Sequence, residues 1–171
     1  MTPDIRTITG TVDDASGAPD INLAHFGTMM TMVRFLDEIG NPIILNRLLS
    51  PNSLASYLKA GTNLTAHLFK FKKNWVLFAI EVDGNKLFDP KGVESLGKAF
   101  RMSGLLTGCM LPILAIGFFF IPWVGWILSL GMLYLFYTLV FAQPGYFDPS
   151  RLRPYLKKRG FTDQNESRVL S

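Results

Sequence analysis

The sequence predicts a membrane protein of the α+β class, in which a small β-barrel precedes a hairpin of two apolar helices. Three observations predict this fold class. Up to about residue 90, apolar and polar residues alternate as they do in β-strands, with turn signals between the runs. From Met102 to Phe147 the chain then contains no Asp, Glu, Lys or Arg, and basic residues flank this stretch on both sides. These features divide the chain into a barrel at 1–90, a linker helix at 91–102, a helical hairpin at 103–143 and a basic juxtamembrane segment with a tail at 144–171.

Three strands are predicted before the first helix. Residues 5–12 alternate in character and form the first strand, whereas residues 13–22 are dense in Asp, Gly, Pro and Asn and are predicted to form a loop. Residues 27–36 have the composition of a second strand, and residues 43–46 form a short third strand after a Gly- and Pro-containing turn.

A short helix follows the third strand. Ser50 is predicted to cap it with its hydroxyl oxygen, and Pro51 suits the first helical position. Apolar residues within 54–58 share one helical face, and Gly61 supplies a stop signal. We therefore expect a helix of about three turns.

Two longer strands and a short one complete the barrel. Residues 62–71 and 75–82 have strand patterns, and the Asp83-Gly84 turn leads into a short strand at 86–88. In the strand 75–82, alternation predicts a core face that consists of Val76, Phe78, Ile80 and Val82.

The order of these elements resembles that of a five-stranded OB-type barrel, in which a helix connects the third and fourth strands. The resemblance covers residues 5–88, concerns the fold alone, and includes no motif that identifies a family. Another small β-barrel or a pleckstrin-type roll remains an alternative, since counting strands in a single sequence does not distinguish these folds.

The uncharged stretch is long enough for two membrane crossings. Residues 103–143 are roughly twice the length of one ~20-residue crossing, so the chain must turn within them. Pro122 and Gly125 are predicted to form this turn because both interrupt helices. The predicted spans are 104–121 and 124–142, and a re-entrant hairpin is the alternative because each span is short.

Basic residues near the spans predict the orientation of the hairpin. By the positive-inside rule both termini are cytoplasmic, in what we expect to be a bacterial-type inner membrane. We expect five of these cations to contact anionic lipid, and apolar neighbours on one side of the same short helix, Leu152, Tyr155 and Leu156, to settle among the headgroups. The five are Arg151, Arg153, Lys157, Lys158 and Arg159.

Small residues recur four positions apart within the predicted spans. Gly104 and Gly108 have this spacing in the first span, and Gly125 and Ser129 have it in the second. Such residues let helix backbones approach closely in lipid, so we expect them to pack the hairpin on itself or on another protein.

A Phe-Asp-Pro sequence occurs on each side of the uncharged stretch, at residues 88–90 and 147–149. An Asp that caps a helix before a Pro in its first turn explains both copies without a functional role.

Candidates for catalysis or metal binding are few. His25 and His67 have no Cys or carboxylate neighbours at a metal-ligand spacing, and the single cysteine, Cys109, lies in the first predicted span. No phosphate-binding loop, dinucleotide fingerprint or nucleophile elbow is present. We expect no enzymatic activity, no metal, no cofactor and no small-molecule substrate.

One stretch of the barrel has the composition of a binding surface. Aromatic residues there alternate with lysines, as in OB barrels that stack bases beside cationic groups, although an ordinary barrel strand has the same pattern. The candidate partner-binding residues are His67, Phe69, Phe71, Lys72, Lys73 and Trp75.

Together these features predict a non-enzymatic binding or scaffold subunit whose barrel contacts a protein partner, or a second copy of the chain, at the membrane surface. A small membrane regulator of the exclusion or immunity type, which acts through its hairpin, is one alternative. A membrane-tethered module that binds single-stranded nucleic acid is the other, and the modest basicity of the barrel makes it the less favoured.

Overall fold

The computed structural model describes residues 4–15, 19–22, 27–109, 130–131, 133–138, 140 and 144–161. The chain forms two compact units. One unit comprises Met1–Leu96 together with Pro149–Ser171, and the other comprises Gly97–Asp148.

The described residues form seven strands, three α-helices and two 3-10 segments. The strands are β1 (Ile5–Asp14), β2 (Pro19–Asn22), β3 (Thr28–Leu36), β4 (Pro42–Ser50), β5 (Asn63–Phe71), β6 (Asn74–Val82) and β7 (Asn85–Phe88). The α-helices are α1 (Asn52–Ala55), α2 (Pro90–Cys109) and α3 (Arg153–Lys158), and the 3-10 segments are Pro144–Phe147 and Pro149–Arg151. Residues 130–131 and 133–137 are also helical.

Five of the strands close into a barrel. The ring runs β1-β5-β6-β4-β3 and returns to β1, while β2 pairs with β3 and β7 pairs with β6 outside the ring. Neighbours in the ring are antiparallel except β4 and β6, which are parallel where Leu48 pairs with Trp75. A closed five-stranded barrel with a helix between its third and fourth ring strands is compatible with an OB-type barrel.

Aliphatic and aromatic side chains from all five ring strands fill the barrel. Phe35 and Leu68 are fully buried there, and Leu54 of α1 packs in the same cluster. The barrel closes where β1 pairs with both β5 and β3, and at this corner Gly10 lies against the backbone of Leu36. A side chain at position 10 would occupy the space that this backbone takes.

The predicted core face of β6 is confirmed for Ile80 and Val82 but is wrong for Val76 and Phe78, because the strand contains a β-bulge. His67 pairs with Ala79, but the next residue of β5 pairs with Leu77, so Phe78 is an extra residue. A bulge reverses the alternation of side chains. Consequently Leu77 joins Ile80 in the core cluster, and the ring of Phe78 instead contacts the rings of His67, Phe69 and Tyr155.

The region around α1 also differs from the sequence prediction. The strand β4 extends to Ser50, since its last residues are buried in the sheet, and α1 has only four residues instead of three turns. Ser50 does not cap α1, because its hydroxyl donates a hydrogen bond to the carbonyl of Pro51. In addition, the predicted loop at 13–22 contains β2.

The predicted cap of the next helix is confirmed. Helix α2 begins at Pro90, and the amide of Gly92 donates a hydrogen bond of 2.7 Å to Asp89 Oδ1. The hydroxyl of Ser53 donates to the other carboxylate oxygen of this residue. Helix α2 includes the predicted linker helix and the first residues of the predicted first span. The second Phe-Asp-Pro copy precedes a 3-10 segment that begins at Pro149.

Much of the predicted hairpin, including the turn at Pro122 and Gly125, falls at 110–129, outside the described residues. Among the residues that are described, no helix combines the length and the apolar character that a membrane crossing requires. In the second compact unit, the rings of Phe100 and Phe147 stack with centroids 5.2 Å apart.

Candidate functional site

The C-terminal segment, residues 152–161, covers the outer surface of the barrel. Leu152, Leu156 and Phe161 expose 1, 4 and 8 % of their surface, and the ring of Phe161 meets the ring of His67 edge-on at 5.4 Å. The expectation that the apolar side of α3 settles among lipid headgroups is therefore wrong, because this side packs against the protein instead.

A polar cluster lies beneath this segment. His67 of β5 is fully buried, and its Nδ1 is 3.0 Å from the hydroxyl of Tyr155 in α3. That hydroxyl is also 2.8 Å from Thr7 Oγ1 of β1, which pairs with His67 across the sheet. On its other side, His67 Nε2 is 3.1 Å from Glu81 Oε1 of β6. We call Thr7, His67, Glu81 and Tyr155 the His67 cluster.

A neutral imidazole satisfies every hydrogen-bonding group of the His67 cluster. The Thr7 hydroxyl donates to the Tyr155 hydroxyl, which donates to His67 Nδ1, and His67 Nε2–H donates to the Glu81 carboxylate. Burial lowers the pKa of His67 below its ordinary value, and Glu81 opposes this effect only in part. The docked segment therefore favours the neutral form of His67.

Two cations hold the end of the C-terminal segment in place. Lys86 Nζ of β7 donates to the carbonyl oxygen of Arg159 and lies 5.5 Å from the ring centroid of Phe161. The guanidinium of Arg159 lies 5.7 Å from the ring centroid of Tyr155. Both positive charges also lower the pKa of His67.

The six residues predicted as a partner-binding surface do not form one surface. His67, Phe69 and Phe71 are buried, since they expose 0, 0 and 3 % of their surface. Lys72 and Lys73 are exposed at the turn between β5 and β6, and Trp75 is half-buried beside them. A partner on this side would therefore contact the last three residues.

The structure adds Arg6 to this side of the barrel and places Lys70, one of the lysines of the predicted stretch, beside the Trp75 ring. The guanidinium of Arg6 lies 5.9 Å and Lys70 Nζ lies 5.7 Å from the ring centroid of Trp75. With Lys72 and Lys73 these residues form what we call the Trp75 cluster. The sequence prediction missed Arg6 because it lies in β1, far from the other members along the chain.

The remaining predicted residues are placed as follows. Gly104 and Gly108 lie one turn apart in α2, whereas Gly125 and Ser129 fall outside the described residues. The five cations predicted to contact anionic lipid are all exposed, and they are Arg151, Arg153, Lys157, Lys158 and Arg159.

Neither a group of metal-binding side chains nor similarity to a known protein indicates the function of this site. In the part of the chain that the structure describes, no three His, Cys, Asp or Glu side chains are grouped to hold a metal ion. Comparison of the chain with protein-family models, curated proteins and solved structures finds no match. The function of the site is therefore inferred from its geometry.

Proposed function

We propose that this chain is a non-enzymatic binding or scaffold subunit that a two-helix hairpin anchors in a bacterial-type inner membrane. Its OB-like barrel and both termini lie on the cytoplasmic side. The barrel binds a protein partner, or a second copy of the chain, at the membrane surface.

The observation that carries this proposal is the exposure of large apolar side chains in the helical residues 130–131 and 133–137. Leu133, Tyr134 and Leu135 point in three directions around a helix and expose 58, 69 and 47 % of their surface. A helix in water keeps a polar face, whereas a helix in lipid is apolar all round. The uncharged sequence on either side of these residues fits the same environment.

The chemistry of the barrel favours binding over catalysis. His67, the one histidine among the described residues, is fully buried beneath the C-terminal segment, so no substrate reaches its ring. The Trp75 cluster instead offers a half-exposed Trp ring beside exposed cations that include Arg6, and Trp and Arg are both enriched in binding interfaces.

The exposed cations within residues 151–159 support contact with anionic lipid on the same side of the membrane. Each Lys or Arg close to an anionic surface contributes about 1 kcal/mol, so five such residues strengthen anchoring considerably even after partial screening. We further propose that Gly104 and Gly108 pack against Gly125 and Ser129 within the hairpin.

A membrane-impermeant amine reagent tests this arrangement in vesicles. Lys59 of the barrel and Lys157 and Lys158 of α3 are all exposed, so they should react in inverted vesicles and stay unmodified in right-side-out ones. In inverted vesicles, anionic lipid should slow the reaction of Lys157 and Lys158 relative to that of Lys59. Reaction of the two regions from opposite sides would contradict the hairpin, and equal slowing of Lys59 would contradict the lipid contact.

Binding of single-stranded nucleic acid is a second candidate, and the surroundings of Trp75 favour it. An aromatic ring close to Arg6 and Lys70, with two further lysines nearby, is the kind of site on which bases stack and phosphates bind. However, both cations already contact the indole ring, so a base would have to displace one of them.

Co-purification with the detergent-solubilised chain distinguishes these functions. We expect a protein to co-purify with the wild-type chain and to be lost when Lys72 and Lys73 are both replaced by Glu. Recovery of nuclease-sensitive material that salt releases would favour the nucleic-acid function. The matched variant Gly104→Leu with Gly108→Leu alters the hairpin alone, and loss of the protein in this variant only would favour a regulator that acts through the membrane.

A further inference from the structure

We propose that the C-terminal segment, residues 152–161, is a proton-sensitive latch that docks on the barrel while His67 is neutral and is released when His67 takes up a proton. This inference concerns the first compact unit alone, so it does not depend on the membrane anchor or on the identity of a partner.

The geometry places a titratable side chain at the joint between the latch and the barrel. Tyr155, in the middle of α3, reaches the barrel through its hydroxyl, which bonds to His67 Nδ1 at 3.0 Å and to Thr7 Oγ1 at 2.8 Å. The rings of Tyr155 and Phe161 both meet the imidazole edge-on. The latch thus covers His67 directly, and undocking would open this side chain to water.

Protonation disrupts the hydrogen bonds that join the latch to the barrel. A protonated imidazole donates from both nitrogens, so Nδ1 can no longer accept from the Tyr155 hydroxyl. That hydroxyl must then turn its proton toward Thr7, so the Thr7 hydroxyl can no longer donate to it. The arrangement in which Thr7 donates to Tyr155 and Tyr155 donates to His67 exists only for neutral His67.

The charges around His67 also disfavour protonation of its imidazole in the docked state. Among the described residues, Glu81 of β6 is the acid in contact with His67, and its side chain is 28 % exposed, so water weakens its attraction for an imidazolium. Lys86 of β7 and Arg159, which follows α3, are both positive and repel it. The group that α3 contributes, Tyr155, and the group that β1 contributes, Thr7, are uncharged. Burial and the two cations together outweigh Glu81, and the pKa of docked His67 is lowered.

The direction of the pH dependence follows from the difference between the two states. When the latch is undocked, His67 is exposed and titrates near its ordinary pKa of about 6.5. Above that pH His67 is neutral in both the docked and the undocked state, and docking has its full strength. Below it the undocked state binds a proton that the docked state does not, so the docking equilibrium constant falls by up to about tenfold per pH unit until the docked-state pKa is reached.

Hydrogen exchange on the full chain in detergent measures the latch directly. The amides of Leu156, Arg159 and Phe161 donate within the segment, so their protection reports docking. Corrected for the intrinsic exchange rate, this protection should fall by up to about fivefold between about pH 6.5 and about pH 5.5, while the β6 amides keep theirs. Equal protection of the segment at both pH values would overturn the proposal.

Matched histidine variants assign the effect to His67. In His67→Gln, a neutral amide can both accept from Tyr155 and donate to Glu81, and the protection should become independent of pH. His25→Gln removes the other histidine and should leave the wild-type pH dependence unchanged. Persistence of the pH dependence in His67→Gln would overturn the proposal.

If His67→Gln does not fold, NMR of the imidazole in the wild-type chain replaces this variant. Protonation of His67 should coincide with the loss of protection in residues 152–161. A His67 that stays neutral while the segment opens, or that becomes protonated while the segment stays closed, would contradict the latch.

Discussion

Replacement of Phe78 by Ala is expected to destabilise the first compact unit by about 3–5 kcal/mol, the cost typical of deleting a buried aromatic ring. Phe78 is fully buried, and its ring lies within about 6 Å of the rings of His67, Phe69 and Tyr155. It therefore supports the sheet and the latch together. The space left by the ring has rigid β-structure on one side, which limits how far the surroundings can collapse.

Urea unfolding of the full chain, followed through the exchange of β5 and β6 amides, measures this loss. Phe78→Ala should also reduce the protection of residues 152–161 at neutral pH, where His67 is not protonated. The control is Ile39→Ala, since Ile39 is 87 % exposed and its truncation should change stability by no more than about 0.5 kcal/mol. Similar effects of the two substitutions would show that Phe78 does not have the packing described for it.

Gly10→Ala is expected to destabilise the barrel by about 1–3 kcal/mol or more, because it inserts a methyl group into a filled space. A Cβ at position 10 would lie 2.1 Å from the carbonyl oxygen of Leu36 and 2.9 Å from its carbonyl carbon. These are backbone atoms, so no rotation of a side chain relieves the clash. β1 and β3 would have to separate where Thr11 pairs with Leu36.

The neighbouring residue provides the control for Gly10. Thr9 lies on the outer surface of the same strand, where its hydroxyl is 3.1 Å from that of Thr65 and both are exposed. Thr9→Ala should therefore change the urea midpoint little. A midpoint for Gly10→Ala equal to that of the wild type would mean that β1 and β3 are farther apart than described.

Local sequence patterns predicted those parts of the fold that local physics determines. Alternation located the ring strands, and the Asp89-Pro90 pair located the start of α2, because a strand repeats every two residues and a capping bond spans three. The bulge at Phe78 could not be predicted in the same way. It is defined by the pairing of β6 with β5, and it removes Val76 and Phe78 from the predicted core face while Ile80 and Val82 keep their places.

The His67 cluster could not be predicted for a related reason. His67 and Tyr155 are 88 residues apart, and no local pattern links a histidine in a strand to a tyrosine in a basic helix. The one available signal is the apolar side of α3, which the sequence prediction places among lipid headgroups. Either assignment buries the same residues, so amphipathic character alone did not distinguish lipid from the barrel.

The docking of residues 152–161 on β5 and β6 also sets an order of events during synthesis of the chain. Ribosomes add about 5–20 residues per second, so the 88 residues between His67 and Tyr155 correspond to roughly 4–18 s. For most of that interval the strands that carry Phe69 and Phe78 have been made, but the segment that covers them has not. A nascent chain at this stage presents an apolar surface that a chaperone can bind, and docking of residues 152–161, which are translated later, removes it.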